Sequence, residues 1–148
     1  MFSCRSGPVP RSLANDSIQL AFDPLNDAVG ADFAGSSGYG PDDTEFGVAL
    51  TPKGPQTFQW SGNPEGHARF PPGTQLAVRR EGDITTYEWT VPWEVARLTP
   101  ETGRIFGFNA VFLDEDQKGK TVSYWLGLSP GICGGKDPAA FHDFVLLP

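Results

Sequence analysis

The chain has 148 residues, with 18 Asp and Glu against 11 Lys and Arg, a formal charge of −7, and 18 Gly and 14 Pro spread along its length. That length suits one domain with a real hydrophobic core, and the scattered Gly and Pro exclude long helices. The acidic charge disfavours a phosphate backbone or an anionic membrane as partner, so a neutral ligand is easier to accommodate.

Residues 1–14, MFSCRSGPVPRSLA, read as a linker or frayed lead-in, and one domain is expected over 15–148. The lead-in has no apolar h-region, so any export signal is expected outside this sequence. No run of about 18 apolar residues marks a transmembrane helix. DSIQLAFD (16–23) alternates, with Ile18, Leu20 and Phe22 on one face and Ser17, Gln19, Ala21 and Asp23 on the other, as in a half-buried strand. From Pro24 to Asp43 the chain is rich in Asp, Gly and Ser. It is expected to form a long surface loop, with a short strand around Ala31 to Phe33. Thr44 to Thr51 alternates again, placing Phe46, Val48 and Leu50 inward and Glu45, Gly47 and Ala49 outward. Gln56 to Trp60 is a short strand, followed by the turn SGNPEG. Gln75 to Arg80 and Asp83 to Val91 form a hairpin around Glu81 and Gly82, with Tyr87, Trp89 and Val91 sharing one face. Pro92 ends that ladder, and Trp93 to Leu98 is expected to make one or two helical turns.

Arg104 to Trp125 reads as a long hairpin at the centre of the fold. Ile105, Phe106, Phe108, Val111, Phe112 and Leu113 are apolar on both faces, as in a strand covered on both sides. An acidic turn containing Asp114, Glu115, Asp116 and Gly119 returns the chain through Thr121 to Gly127, where Trp125 shares a face with the hydroxyls of Thr121 and Ser123. A Gly- and Pro-rich loop and a last strand, Phe141 to Leu147, complete the chain. About eight short strands with turn-rich joints predict an all-β fold: an antiparallel, jelly-roll-like β-sandwich with one short helical turn.

Candidate chemistry is sparse. His67 and His142 lack a nucleophile elbow or a reactive-cysteine context. Glu45, Glu88, Asp114 and Asp116 offer carboxylates for a glycosidase, as any acidic β-protein does. No catalytic residue is assigned. Asp114 and Asp116 partly match a calcium loop, with oxygen ligands two residues apart and Gly119 at the turn. Lys118 opposes a cation there, and Asp23, Asp27, Asp32, Asp42 and Asp43 form a second acidic stretch. Ca²⁺ is thus the one cofactor to consider. Cys4 and Cys133 suit either one disulfide closing a long loop or two free thiols. Among the tryptophans, Trp89 and Trp93 read as core anchors, Trp60 as undecided, and Trp125 as an exposed platform for a sugar's C–H face. Asn109 and Gln19 add donor and acceptor pairs for sugar hydroxyls if their strands flank Trp125, and Glu45 adds a further acceptor.

These motifs, in this order, resemble carbohydrate-binding module family nine, a sugar-binding domain of the DOMON-like sandwich group. DSIQLAFD resembles the family's strand with an Asp-Ser-Val-Glu core, matching at Asp16 and Ser17, with Gln19 where an acidic residue is usual. YEWTVPW is similar to its strand ending in Ile-Pro-Trp, and IFGFNAVFLDEDQKGK to its Gly-Phe-Asn strand and Asp-x-Asp turn. Trp125 falls where a stacking tryptophan follows. The chain departs from the pattern at Leu13, near the family's other stacking tryptophan, and at Gly47 and Ala49, where Arg and Asn often point at the ligand. The resemblance implies a non-catalytic module binding an oligo- or polysaccharide through Trp125, Asn109, Gln19 and Glu45. It also implies a secreted or cell-surface polysaccharide-processing parent, such as a glycoside hydrolase, with further strands upstream and an open sheet edge available for self-association. The alternative is a structural or protein-interaction sandwich without a sugar site. Haem, bound by some DOMON-like domains, is disfavoured because Met1 is the only methionine and leaves no internal Met–His axial pair.

Overall fold

Strands form where apolar and polar residues alternate, and they stop at Gly, Pro and Asp. The computed structural model describes residues 16–28, 38–62, 70–114, 124–133 and 135–148. Within them lie β1 (Ser17–Asp23), β2 (Thr44–Thr51), β3 (Gly54–Ser61), β4 (Gln75–Glu81), β5 (Ile84–Thr90), β6 (Ile105–Asp114), β7 (Tyr124–Gly127) and β8 (His142–Val145). One helical turn, α1 (Trp93–Ala96), follows Pro92 and is closed by Arg97 in the left-handed region at φ 59°. The strand expected around Ala31 to Phe33, the 115–123 turn and the 1–14 lead-in lie outside the described residues.

Six strands make one antiparallel sheet in the order β3-β2-β1-β6, and β7 and β8 lie end to end along the far edge of β6. β8 pairs with Ile105–Phe108 and β7 with Val111–Asp114. The β4–β5 hairpin forms a second layer. It docks through Trp89 on Phe46, with ring centroids 5.3 Å apart. Beside it, Ala96, Leu98 and Phe106 pack with Phe22, Val91, Phe108 and Leu146.

The register sorts the large sheet into two faces. Ile18, Leu20 and Phe22 share one with Phe46, Val48, Phe108 and Phe112, on the hairpin side. Ser17, Gln19 and Ala21 share the other with Glu45, Gly47, Ala49, Asn109, Val111 and Leu113. This second face, expected to be solvated, is buried: Ser17, Gln19, Glu45, Ala49 and Asn109 are all inside. Ile132, Cys133 and Phe141 from the segment after β7, together with Tyr39 from the segment before β2, cover it, packing on Ala21, Val111 and Leu113. Alternation with period two tells which residues share a face, and a roof built from loops leaves no mark in that pattern.

The expected core role of Trp93 is also corrected. In a helix of one turn only one side meets the sheet, and Val95 and Ala96 take it, leaving Trp93 46% exposed. Trp89, half-buried, points inward onto Phe46 as expected of it.

Candidate ligand-binding site

Asn109 sits in the middle of β6 and faces the loop that follows β7. Its Nδ2 donates to the carbonyls of Ser129 (3.0 Å) and Pro130 (2.7 Å), and its Oδ1 accepts from the amides of Ala110 (2.8 Å) and Ser129 (3.1 Å). The amide is fully used in holding the loop down. Glu45 is likewise buried and pairs with Lys136 Nζ at 2.7 Å to Oε2, which ties β2 to the same roof. Gln19 is buried and also engaged within the protein. The outward orientation expected for these three side chains is therefore replaced by one under the loop. Burial without such partners costs each polar group on the order of 1–3 kcal/mol, so the loop and the strand residues stabilise one another.

Gly47 lies between Gln19 and Phe58 in the ladder, and Trp60 fills the space above it. A Cβ at Gly47 would stand 2.2 Å from Trp60 Cη2, so the indole's seat exists only because residue 47 has no side chain. Trp60 in turn packs edge-on against Phe58 at 5.6 Å. We expect Gly47→Ala to force the ring off this seat and to lower stability by about 1–3 kcal/mol, as overpacking does, measured by urea denaturation. An unchanged midpoint would show that Trp60 is not confined there.

Trp125 occupies β7 opposite Leu113 and is 47% exposed. Its ring leans over Gly127, where an added Cβ would lie 3.3 Å from Trp125 Cζ3. The platform expected of Trp125 thus has the exposure it needs. On the opposite face of the same sheet end, the hairpin stops short of the β6–β7 edge and leaves a cleft of about 490 Å³. Tyr87, Thr85 and Arg80 form its hairpin side, and Ile18, Phe112 and Leu126 its floor, with Asp16 and Asp83 at its rim. Trp125 does not line it.

No family model matches the sequence, and no curated protein matches it. Among solved structures the chain is similar to a carbohydrate-binding module of family 9 from Caldicellulosiruptor kristjanssonii in complex with cellotriose. The TM-score is 0.65 at 16% identity, over 96% of this chain and 63% of that one. The chain has the fold of a family-nine carbohydrate-binding module. It spans about 63% of the length of the module it matches.

Within this family-nine fold the sheet end carrying Trp125 is where β1 begins, β6 ends and β7 begins. The cleft beside it went unforeseen because Tyr87 reads as core by alternation. One signal was available. Arg80 falls on the inward phase of Leu76, Val78 and Arg80, and a charge at an inward position marks a sandwich that is open there.

Of the residues considered for a cation, Asp114 ends β6 and Asp116 lies outside the described residues. Among the described residues, Asp23, Asp42 and Asp43 bring carboxylate oxygens within 4.8 Å of one another. Each already accepts a backbone amide: Asp23 from Asn26 and Ala28, Asp42 from Leu25, and Asp43 from Gly40. Burial first, then the like charges of Asp23, Asp42 and Asp27, outweigh the Gly40 amide and push the Asp43 carboxyl up to about 7. Burial likewise raises Asp23. Cys133 is disulfide-bonded, and Cys4, the other cysteine of the sequence, lies outside the described residues.

Proposed function

We propose that this domain is a non-catalytic carbohydrate-binding module that takes an oligo- or polysaccharide, with Trp125 as its stacking platform. The observation that carries the reading is an exposed indole at the end of a family-nine-like sheet, where a sugar's C–H face has an aromatic ring to pack on. Cellotriose in the similar module supports the ligand class. The hydrogen bonds of Asn109 to Ser129 and Pro130 and the Glu45–Lys136 ion pair give these two buried side chains a supporting part in fixing the loop that follows Trp125. A disulfide at Cys133 favours an oxidising compartment, in keeping with a secreted or cell-surface polysaccharide-processing parent.

The test is a titration of the domain with cellotriose and a panel of neutral oligosaccharides, read by tryptophan fluorescence with and without Ca²⁺. We expect a saturable change. Trp125→Ala should abolish it and weaken binding at this platform by about 2 kcal/mol, roughly thirtyfold in Kd, without changing the melting temperature. Unchanged affinity in that variant would remove Trp125 from the site.

A second reading, a protein-interaction sandwich, is favoured by one feature. Among the described residues β4 and β5 pair only with each other, so each has an outer edge without a ladder partner, and Phe112 and Leu126 beside the hairpin are exposed. It predicts a concentration-dependent dimer in sedimentation velocity and no response to any glycan.

A further inference from the structure

We propose that the cleft between the β4–β5 hairpin and the β6–β7 edge is a second saccharide subsite, selective for uncharged sugars and separate from the Trp125 platform. This deepens the carbohydrate-binding reading and rests on it. The floor is apolar and open, with Phe112 50% and Leu126 58% exposed, and Tyr87 stands across from them on the other layer. Two aromatic rings from different sheets thus bound one cleft, the arrangement that suits the apolar faces of a pyranose. Around them, Asp16, Asp83, Arg80 and Thr85 supply acceptors, donors and a hydroxyl. About 490 Å³ lies within the size of small-molecule sites, and a smaller recess of about 70 Å³ extends it between Tyr87 and Leu50.

The charge pattern selects the ligand class. An aliphatic ligand would strand Asp16, Arg80 and Asp83 against hydrocarbon, which costs each its hydration. Phosphate or uronate would meet two carboxylates for one guanidinium, on a chain of net charge −7. A ligand that is neutral, rich in hydroxyls and apolar on its ring faces meets neither penalty. Arg80 is already oriented toward its turn, with Nε donating to the Gly82 carbonyl at 3.4 Å. Asp16 and Arg80, which line the same cleft, both act electrostatically on Tyr87.

The test is an NMR titration of the whole domain with cellotriose, following backbone amides at the cleft (Ser17, Thr85, Tyr87) and around Trp125 separately. Saturable shifts are expected at both places. Phe112→Ala and Arg80→Ala, both at exposed positions, should weaken the cleft response at least tenfold while leaving the Trp125 response and the melting temperature unchanged. Trp125→Ala should do the converse. Shifts confined to the Trp125 side would overturn the subsite and leave the carbohydrate reading standing, and no shift anywhere, with any neutral oligosaccharide, would overturn both. Equal binding of a trigalacturonate in the cleft would overturn the selectivity for uncharged sugars.

Discussion

Asn109→Ala is expected to lower the melting temperature by about 10 °C while leaving the Trp125 indole intact. The side chain bridges β6 to the loop at Ser129 and Pro130 with both its amide nitrogen and its oxygen. Truncation removes these bonds and leaves the Ser129 amide and two carbonyls without their partner. At about 1 kcal/mol per lost bond, and more for each group left buried and unpaired, the cost is about 3–4 kcal/mol. For a domain of this size that corresponds to about 3 °C per kcal/mol. Differential scanning calorimetry reads the shift directly. The experiment also separates two roles for the residue. A variant that melts normally but no longer responds to sugar would make Asn109 a ligand contact, against the geometry of its hydrogen bonds.

The second large effect is on the pH dependence of stability, and it originates in Asp43. Its carboxyl titrates at about 7 in the folded chain, against 3.8 for an unperturbed aspartate. Between those values the folded state holds a proton that the unfolded state has released. The stabilisation is therefore complete below about pH 4 and is lost as the pH rises through about 7. At about 1.4 kcal/mol per pKa unit the shift corresponds to at most about 4 kcal/mol, and Asp23, shifted in the same direction, adds to the trend. Urea denaturation of the wild type at intervals from pH 4 to 8 should show stability falling with pH. Asp43→Asn keeps an acceptor for the Gly40 amide and has nothing to titrate, so the wild-type and variant curves should diverge below pH 7. Parallel curves would mean that Asp43 ionises normally within the fold.

The strands themselves were legible in the residues. Thr44 to Thr51 reads directly as β2, Pro92 ends β5, and the aromatic run from Ile105 to Leu113 becomes the central strand β6. Two of these signals are local: alternation fixes which side chains share a face, and proline removes the donor a ladder needs. The resemblance carried by Asp16, Ser17, the Val-Pro-Trp strand end and the Gly-Phe-Asn strand likewise agrees with the fold found. Local pattern also marked Trp125 as distinct from Trp89, because its strand neighbours were polar.

What alternation left open was which of two faces meets water. Gln19, Glu45 and Asn109 are polar and share a face, the usual mark of solvent exposure, yet all three are buried, and the 128–141 segment supplies Lys136 to Glu45 and the Ser129 and Pro130 backbone to Asn109. The same holds for the cleft. Tyr87 and Phe112 lie 25 residues apart in the sequence and on different sheets, and each alone reads as core. Periodicity reports the face of a residue within its own strand. Burial and the meeting of side chains depend on how far one layer extends over another, and that was decided only when the hairpin stopped short of the β6–β7 edge.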